Sequence, residues 1–170
     1  QMHTVAMFRL RHVLADALRA ALGDHLRAIY NKSEGTLPFK ADVEPENGFM
    51  WGKPVSNIAL ENGLKFRVDW EKGQKTGLFV DQRENRALVE KYSEGRSVLN
   101  MFCYTGGFSF YAMRGGAKLV HSVDSSERAI ELTRENVGLN YPADSRHEAF
   151  AMDAFKFLDT AYHKYDLIIL

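Results

Sequence analysis

Between Thr4 and Leu22 the apolar residues Val5, Phe8, Val13, Leu14, Ala17, Leu18, Ala21 and Leu22 recur at helical spacing, and Gly23 follows as a stop. This pattern predicts one helix. The segment "LRAIYNKS" (26–33) reads as a short strand, whereas residues 33–56, with Gly35, Pro38, Pro45, Gly48, Gly52 and Pro54, read as an extended connection. In "NIALENGLKFRVDW" (57–70) the pair Asn62-Gly63 separates two alternating runs, which predicts a hairpin closed by a type I′ turn. Residues 1–70 are therefore expected to be a small α+β segment.

Beyond residue 70 the period alternates between strand and helix. "SVLNMF" (97–102), "AKLVHSVD" (117–124), "HEAFAM" (147–152) and "YDLIIL" (165–170) read as strands. "GGFSFYAMRGG" (106–116), "SSERAIELTRENVGLN" (125–140) and "DAFKFLDTAY" (153–162) read as the turns and helices between them. Such alternation implies right-handed βαβ crossovers and an α/β fold, the first half of a Rossmann-like parallel sheet. The expected domains are 1–70 and 71–170, the second broken off at its fourth strand.

Composition narrows the field. With 45% hydrophobic and 26% charged residues among 170, the chain is of ordinary globular type, and its zero net charge predicts no global attraction to nucleic acid. No run of eighteen apolar residues and no signal-peptide pattern points to a membrane, so the expected compartment is the cytoplasm. The chain begins at Gln1 and stops inside an apolar run, so a fragment of a longer protein is expected; a homo-oligomer formed through an exposed sheet edge stays open. The single cysteine, Cys103, leaves no disulfide framework or cysteine zinc site. His3, His12, His25, His121, His147 and His163 have no paired ligand spacing, so no metal is expected.

In an open parallel sheet ligands collect at the carboxyl ends of the strands. "CYTGGF" (103–108) follows the first strand, and its paired glycines let the backbone turn tightly ahead of a helix N-terminus. Asp124 ends the second strand about twenty residues on, where a carboxylate can accept both ribose hydroxyls; it can equally cap the next helix. Asp153 ends the third strand, where it could likewise cap a helix or touch the base of a nucleoside. Asp166 lies at the other end of its strand and reads as structural. Glycine, acid and acid indicate a nucleoside cofactor, and "YTGGFSF" lacks the G-x-G-x-x-G order of an NAD site. S-adenosylmethionine needs no pyrophosphate cradle and fits better.

"EKGQKTGLFVDQRENR" (71–86), "VLNMFCYTGGFSFYAMRGGAKLVHSVDSSERAIELTRENVGLN" (98–140) and "YDLIIL" resemble the bacterial large-subunit ribosomal RNA cytosine-C5 methyltransferases of the RlmI type. The likeness covers roughly residues 57–170, with the first fifty residues resembling the end of the family's central domain. It implies a cofactor, S-adenosyl-L-methionine, and a partner, ribosomal RNA. By position, Tyr104, Thr105, Gly106 and Gly107 would lie along the methionine part, Asp124 on the ribose, Ser125 beside the adenine, Asp153 near its exocyclic amine and Ala154 packed by the ring. Phe79, Asp81, Gln82 and Arg83 would form the mouth of the pocket, with Asp81 capping the helix "QRENRALVEKY". Lys75 and Arg83 would face the cofactor carboxylate or the RNA, or be solvated charges.

The family's Asp-Pro-Pro segment and nucleophilic cysteine are expected beyond Leu170. No catalytic residue is therefore expected in these 170 residues, and Cys103, in the first cofactor loop, is not taken as the nucleophile. Phe49, Met50 and Trp51 are read as a packing cluster rather than a base-stacking platform. Arg9, Arg11, Arg19, Arg27, Lys32 and Lys40 could border an RNA path or form a solvated face. Three alternatives remain: a nicotinamide enzyme of the same fold, a non-catalytic interaction fragment, and a methyltransferase acting on another RNA.

Overall fold

The computed structural model describes residues 1–38, 42–53, 56–161 and 164–170, so Lys40, Pro54, Tyr162 and His163 lie outside the described residues. The chain divides into two compact units, one of residues 1–57 and 69–78, the other of 58–68 and 79–170.

In the first unit the expected single helix is two. Helix α1 (Val5–Arg9) is capped by the Thr4 hydroxyl on the Met7 amide, and α2 (Arg11–Leu22) starts after Leu10 leaves helical geometry at ψ 2°. Phe8 and Ala15 are buried, while Leu10, Val13, Leu18 and Leu22 are exposed, so the apolar stripe is only partly used. Strand β1 (Ala28–Asn31) pairs antiparallel with β2 (Gly48–Gly52), which falls inside the stretch expected to be a bare connection. Glycines at both ends of β2 hide a run whose rings pack. Phe49 meets Tyr30 edge-on at 4.9 Å, and the Arg19 guanidinium lies 5.4 Å from the Trp51 ring. Lys75 belongs to this unit, where its carbonyl accepts a bond from Gln1.

The second unit begins with the hairpin. Strands β3 (Ile58–Glu61) and β4 (Leu64–Arg67) are joined through Asn62 and Gly63 at φ +49° and +82°, the turn that the Asn-Gly pair predicts. A boundary at residue 70 would place this hairpin with the N-terminal segment, yet it lies in the second unit, and residues 69–78 lie in the first. The reason is burial and backbone pairing. Phe66 is buried against Phe110 with centroids 4.7 Å apart, and the Lys65 and Arg67 amides donate to the Asn140 and Asn136 side chains at 2.9 and 2.6 Å.

Four parallel strands follow in the order β7-β6-β5-β8: β5 (Ser97–Met101), β6 (Leu119–Asp124), β7 (His147–Ala151) and β8 (Leu167–Ile169). All five residues of β5 are buried, as a central strand requires. Helices α4 (Gly107–Arg114) and α5 (Glu127–Asn140) pack against the sheet, and α3 (Arg83–Lys91) packs along α4. Helix α6 (Ala154–Thr160) completes a cluster of Leu99, Met101, Val123, Ala154 and Phe157. Asp166 is structural, since its carboxylate accepts the Ser97 amide at 2.9 Å and lies 3.5 Å from Lys118.

A polar chain runs through this unit. Asn100 donates to Ser109 at 2.8 Å, Ser109 meets Ser122 at 2.6 Å, and Ser122 meets His147 Nε2 at 2.8 Å. Burial, reinforced by the charges of His121 and Arg134, pushes the His147 pKa down to about 4. Because the folded value lies below the unfolded one, the unfolded chain binds the extra proton, and stability falls as pH drops from about 6.5 to 4. The unfolding free energy of the parent chain should therefore fall, relative to His147→Gln, by roughly 1–3 kcal/mol across that window. Parallel curves for the two chains would show that His147 carries no such linkage.

Candidate functional site

The loop after β5 is held in an unusual backbone. Phe102, Tyr104 and Gly106 alternate at φ +55°, +50° and +75° with residues of ordinary φ between them. For Phe102 and Tyr104 the left-handed region costs on the order of 1–2 kcal/mol each, so the loop must be restrained from outside. It is. The Tyr104 amide donates to Asp124 Oδ2 at 3.0 Å, Thr133 Oγ1 donates to the Tyr104 carbonyl at 3.0 Å, and Asn136 Nδ2 donates to the Thr105 carbonyl at 2.9 Å. The Gly106 amide closes the turn on the Cys103 carbonyl at 2.8 Å. A Cβ at Gly106 would stand 2.7 Å from Thr133 Cγ2, so only glycine suits both the angle and the space.

Asp124 at the end of β6 is the second part. Its Oδ1 accepts the Ser126 amide at 3.0 Å, and Ser126, not Asp124, caps α5 by accepting the Ala129 amide. The carboxylate thus ties two strand-end loops together, and each oxygen keeps a lone pair. Ser125 is exposed beside it. Asp153 at the end of β7 does cap a helix, with Oδ1 accepting the Phe155 and Lys156 amides at 3.0 and 3.1 Å. Ala154 is buried in the α6 cluster.

The segment before α3 differs from expectation at Asp81. That residue lies inside a 3-10 turn, Val80–Gln82, whose extra residue moves the N-cap to Gln82, and no side chain makes the capping bond. Asp81 instead accepts from Gln82 at 3.3 Å. Arg83 is exposed and paired with Glu84 at 3.2 Å. Phe79 packs its ring edge-on against Tyr104 with centroids 5.6 Å apart, which joins this segment to the glycine loop. The structure thus brings Phe79, Tyr104, Thr105, Gly106, Gly107 and Asp124 together by bonds and contacts, while Lys75 belongs to the other unit.

Three supporting residues escaped the sequence reading: Thr133 and Asn136, fully buried polar side chains on the inner face of α5, and Arg86. The sequence signal of Thr133 and Asn136 is polarity at positions i and i+3 of an otherwise apolar face, and Arg86 has none of that kind. Phe102 also escaped it, an exposed aromatic in the loop just after β5.

Burial, with the nearby Asp124 charge adding to it, pushes the Cys103 thiol up to about 12. Such a thiol is protonated at neutral pH and makes a poor nucleophile. Among the described residues no three His, Cys, Asp or Glu side chains group as a metal site, and no helix is long and apolar enough to cross a membrane. A cavity of about 300 Å³ lies elsewhere, lined by His121, Glu148, Phe150, Phe157 and Tyr165 among others, and holds none of the strand-end residues above.

A sequence model of the S-adenosylmethionine-dependent methyltransferases matches residues 15–170. Among curated proteins, the ribosomal RNA large subunit methyltransferase I of Aeromonas hydrophila is 38% identical over 166 residues, which is 94% of this chain and 41% of that protein. The chain thus spans about two-fifths of its curated relative. Among solved structures, a candidate SAM-dependent methyltransferase from Streptococcus mutans superposes with a TM-score of 0.81 at 29% identity, over 96% of this chain and 43% of that one. SMU.776, a candidate methyltransferase complexed with SAH, gives 0.81 and 29% over 96% of this chain and 42% of that one.

The state of Cys103 is directly measurable. At pH 8 its alkylation by iodoacetamide in the folded chain should run at least about a thousandfold slower than in denaturant, where a free thiol has a pKa near 8.5. Comparable rates in the two conditions would mean an accessible thiolate.

Proposed function

From a chain that belongs to the S-adenosylmethionine-dependent methyltransferase family, we propose a part of a ribosomal RNA large-subunit methyltransferase that methylates C5 of a cytosine in the cytoplasm. What carries the reading is the strand-end constellation: a glycine loop cross-linked to the Asp124 carboxylate. The name of the Aeromonas relative supports the RNA substrate. The resemblance of the 98–140 motif to cytosine-C5 enzymes supports the choice of atom.

The residues present fit the cofactor. The lone pairs left on Asp124 suit two ribose hydroxyls, and Asp153, whose two amide bonds both use Oδ1, keeps Oδ2 for the exocyclic amine of adenine. Ser125 would lie beside the base. Ala154, buried in the core, would hold the Asp153 turn in place. Tyr104, Thr105, Gly106 and Gly107 would line the methionine part at the start of α4, where the Ser109 and Phe110 amides already donate to the Gly106 carbonyl and those of Gly107 and Phe108 would face the ligand. Phe79, Asp81, Gln82 and Arg83 would form the mouth. Arg83 leaves its surface pair with Glu84 at little cost, since such exposed pairs contribute about 0–1 kcal/mol, and is free to meet the cofactor carboxylate or RNA. Lys75 would contact RNA from the first unit.

The bound cofactor supplies a methyl group on a sulfonium centre. In the proposed reaction a cysteine thiolate adds to C6 of cytosine, C5 takes the methyl group, and a base removes the C5 proton as the thiolate leaves. Cys103 is buried and protonated, which argues against it as that nucleophile, and the family resemblance implies a cysteine beyond Leu170 in its place. These 170 residues would then bind cofactor without turnover.

Calorimetric titration tests this. Saturable binding of S-adenosylmethionine, none of NAD, and at least about tenfold weaker binding by Asp124→Ala are expected, the loss of one charged acceptor. NAD binding, or an Asp124→Ala chain that binds as the parent does, would overturn the cofactor assignment. Methyl transfer to ribosomal RNA by the 170-residue chain would overturn its cofactor-only part.

A further inference from the structure

Arg86 is only 3% exposed, near the middle of α3, and every nitrogen of its guanidinium is engaged. Nε and Nη2 donate to the two oxygens of Glu61 at 2.7 Å each, the planar fork matching the carboxylate. Nη1 donates to the Phe79 carbonyl at 3.1 Å. Its plane lies 5.4 Å from the Phe66 ring centroid, and its Cδ would stand 3.1 Å from a Cβ placed on Gly107. Tyr111 of α4 donates to Glu61 Oε1 at 2.9 Å. Burial works to raise the Glu61 pKa, but the bonds from Arg86 and Tyr111 and the positive charges of Arg86 and Arg83 outweigh it and hold the carboxyl below its ordinary value.

Arg86 thus bonds the end of β3 through Glu61 and the segment before α3 through Phe79, and its Cδ fills the space that a side chain at Gly107, the first residue of α4, would need. Stability alone does not account for this layout. A buried ion pair adds little net stability over packed apolar groups, whereas its geometry fixes what it touches. What Arg86 touches is the Phe79 peptide, and the Phe79 ring is the one that packs on Tyr104. Lysine would keep the charge but offers a point donor instead of a fork, and could not hold Glu61 with two bonds and Phe79 with a third in one plane.

We propose that Arg86, oriented by Glu61 and Tyr111, is a positioning residue of the cofactor site that sets the Phe79–Tyr104 wall and the start of α4. This rests on the cofactor reading above. A built-in control exists in Arg114, which makes a similar forked pair with Glu90 at 2.7 and 2.6 Å and donates to the Asn62 carbonyl. It joins the same hairpin, α3 and α4, with no bond to Phe79 or to the glycine loop.

The experiment compares Arg86→Lys and Arg114→Lys in the 170-residue chain, below the thermal midpoint of each, by calorimetric titration with S-adenosylhomocysteine and by NOEs between the Phe79 and Tyr104 rings. Arg86→Lys should weaken binding by about tenfold or more, as for one lost charge-assisted bond, and lose the ring NOEs. Arg114→Lys should keep both within about twofold even where its midpoint falls as far. Equal losses in the two variants, or an Arg86→Lys chain that keeps its affinity and its NOEs, would overturn the proposal. A parent chain that binds no S-adenosylhomocysteine would sink the cofactor reading itself and the assignment of Arg86 to that site. The NOEs would then still report separately whether Arg86 sets the Phe79–Tyr104 contact.

Discussion

The second unit depends on keeping the loop after β5 in a backbone that its own residues disfavour. Two non-glycine residues with positive φ in one five-residue stretch store a few kcal/mol unless every peptide group is held. The restraint comes from α5. Thr133 holds the Tyr104 carbonyl, Asn136 holds the Thr105 carbonyl, and Asp124, just before the helix, holds the Tyr104 amide. The same helix face continues along the hairpin, where Asn136 and Asn140 take up the Arg67 and Lys65 backbone that would otherwise be an unpaired strand edge. One polar stripe on one helix thus fixes both the loop after β5 and the hairpin. Thr133 and Asn136 are fully buried, where an unmade hydrogen bond costs about 1–3 kcal/mol, so their bonds are strongly enforced, while Asn140 is half-buried.

A chain with no net charge also has no long-range field to organise it, and its charges act locally. Glu61–Arg86 and Glu90–Arg114 both stitch α3 to its surroundings through forked geometry. Only the first is almost fully buried, and breaking it by removing one partner would cost about 3–5 kcal/mol. That cost ties the hairpin to α3, adding to the Phe66 packing and the Asn136 and Asn140 bonds that hold residues 58–68 in the second unit.

The legible parts of the sequence were those whose cause is local. Period-2 and period-3.6 runs placed β5 to β8 and the helices between them to within a residue or two, and Asn62-Gly63 announced its own turn angles. Strand β2 stayed hidden because Gly48 and Gly52 look like loop residues, and their pairing with β1 is a property of another segment. The helix from Thr4 broke at Leu10, where no proline or glycine marks the bend. Asp81 failed as a cap because a 3-10 turn inserts ahead of α3, a shift of one residue beyond the resolution of a capping rule. At Asp124 and Asp153 the sequence left capping and ligand binding open. On capping the two differ, since Asp153 caps α6 whereas Asp124 cross-links loops. Thr133, Asn136 and Arg86 were illegible for a stronger reason. Their partners lie 25 to 69 residues away wherever the bond joins two elements, as from Arg86 to Glu61 and from Arg67 to Asn136, and no local pattern encodes a fold-dependent bond.

The fate of Cys103 follows from the same architecture. It stands in the loop that the site depends on, within 3.5 Å of the Thr133 hydroxyl and with its amide bonded to the Val123 carbonyl. To act as a nucleophile it would have to ionise beside the Asp124 carboxylate, and that charge raises the thiol pKa further. The carboxylate cannot be dispensed with, because it holds Tyr104 at positive φ. A loop anchored to a carboxylate is thereby a poor place for a thiolate. Burial first, and the anchoring charge after it, thus keep the Cys103 thiol protonated at the position where the loop most needs its carboxylate.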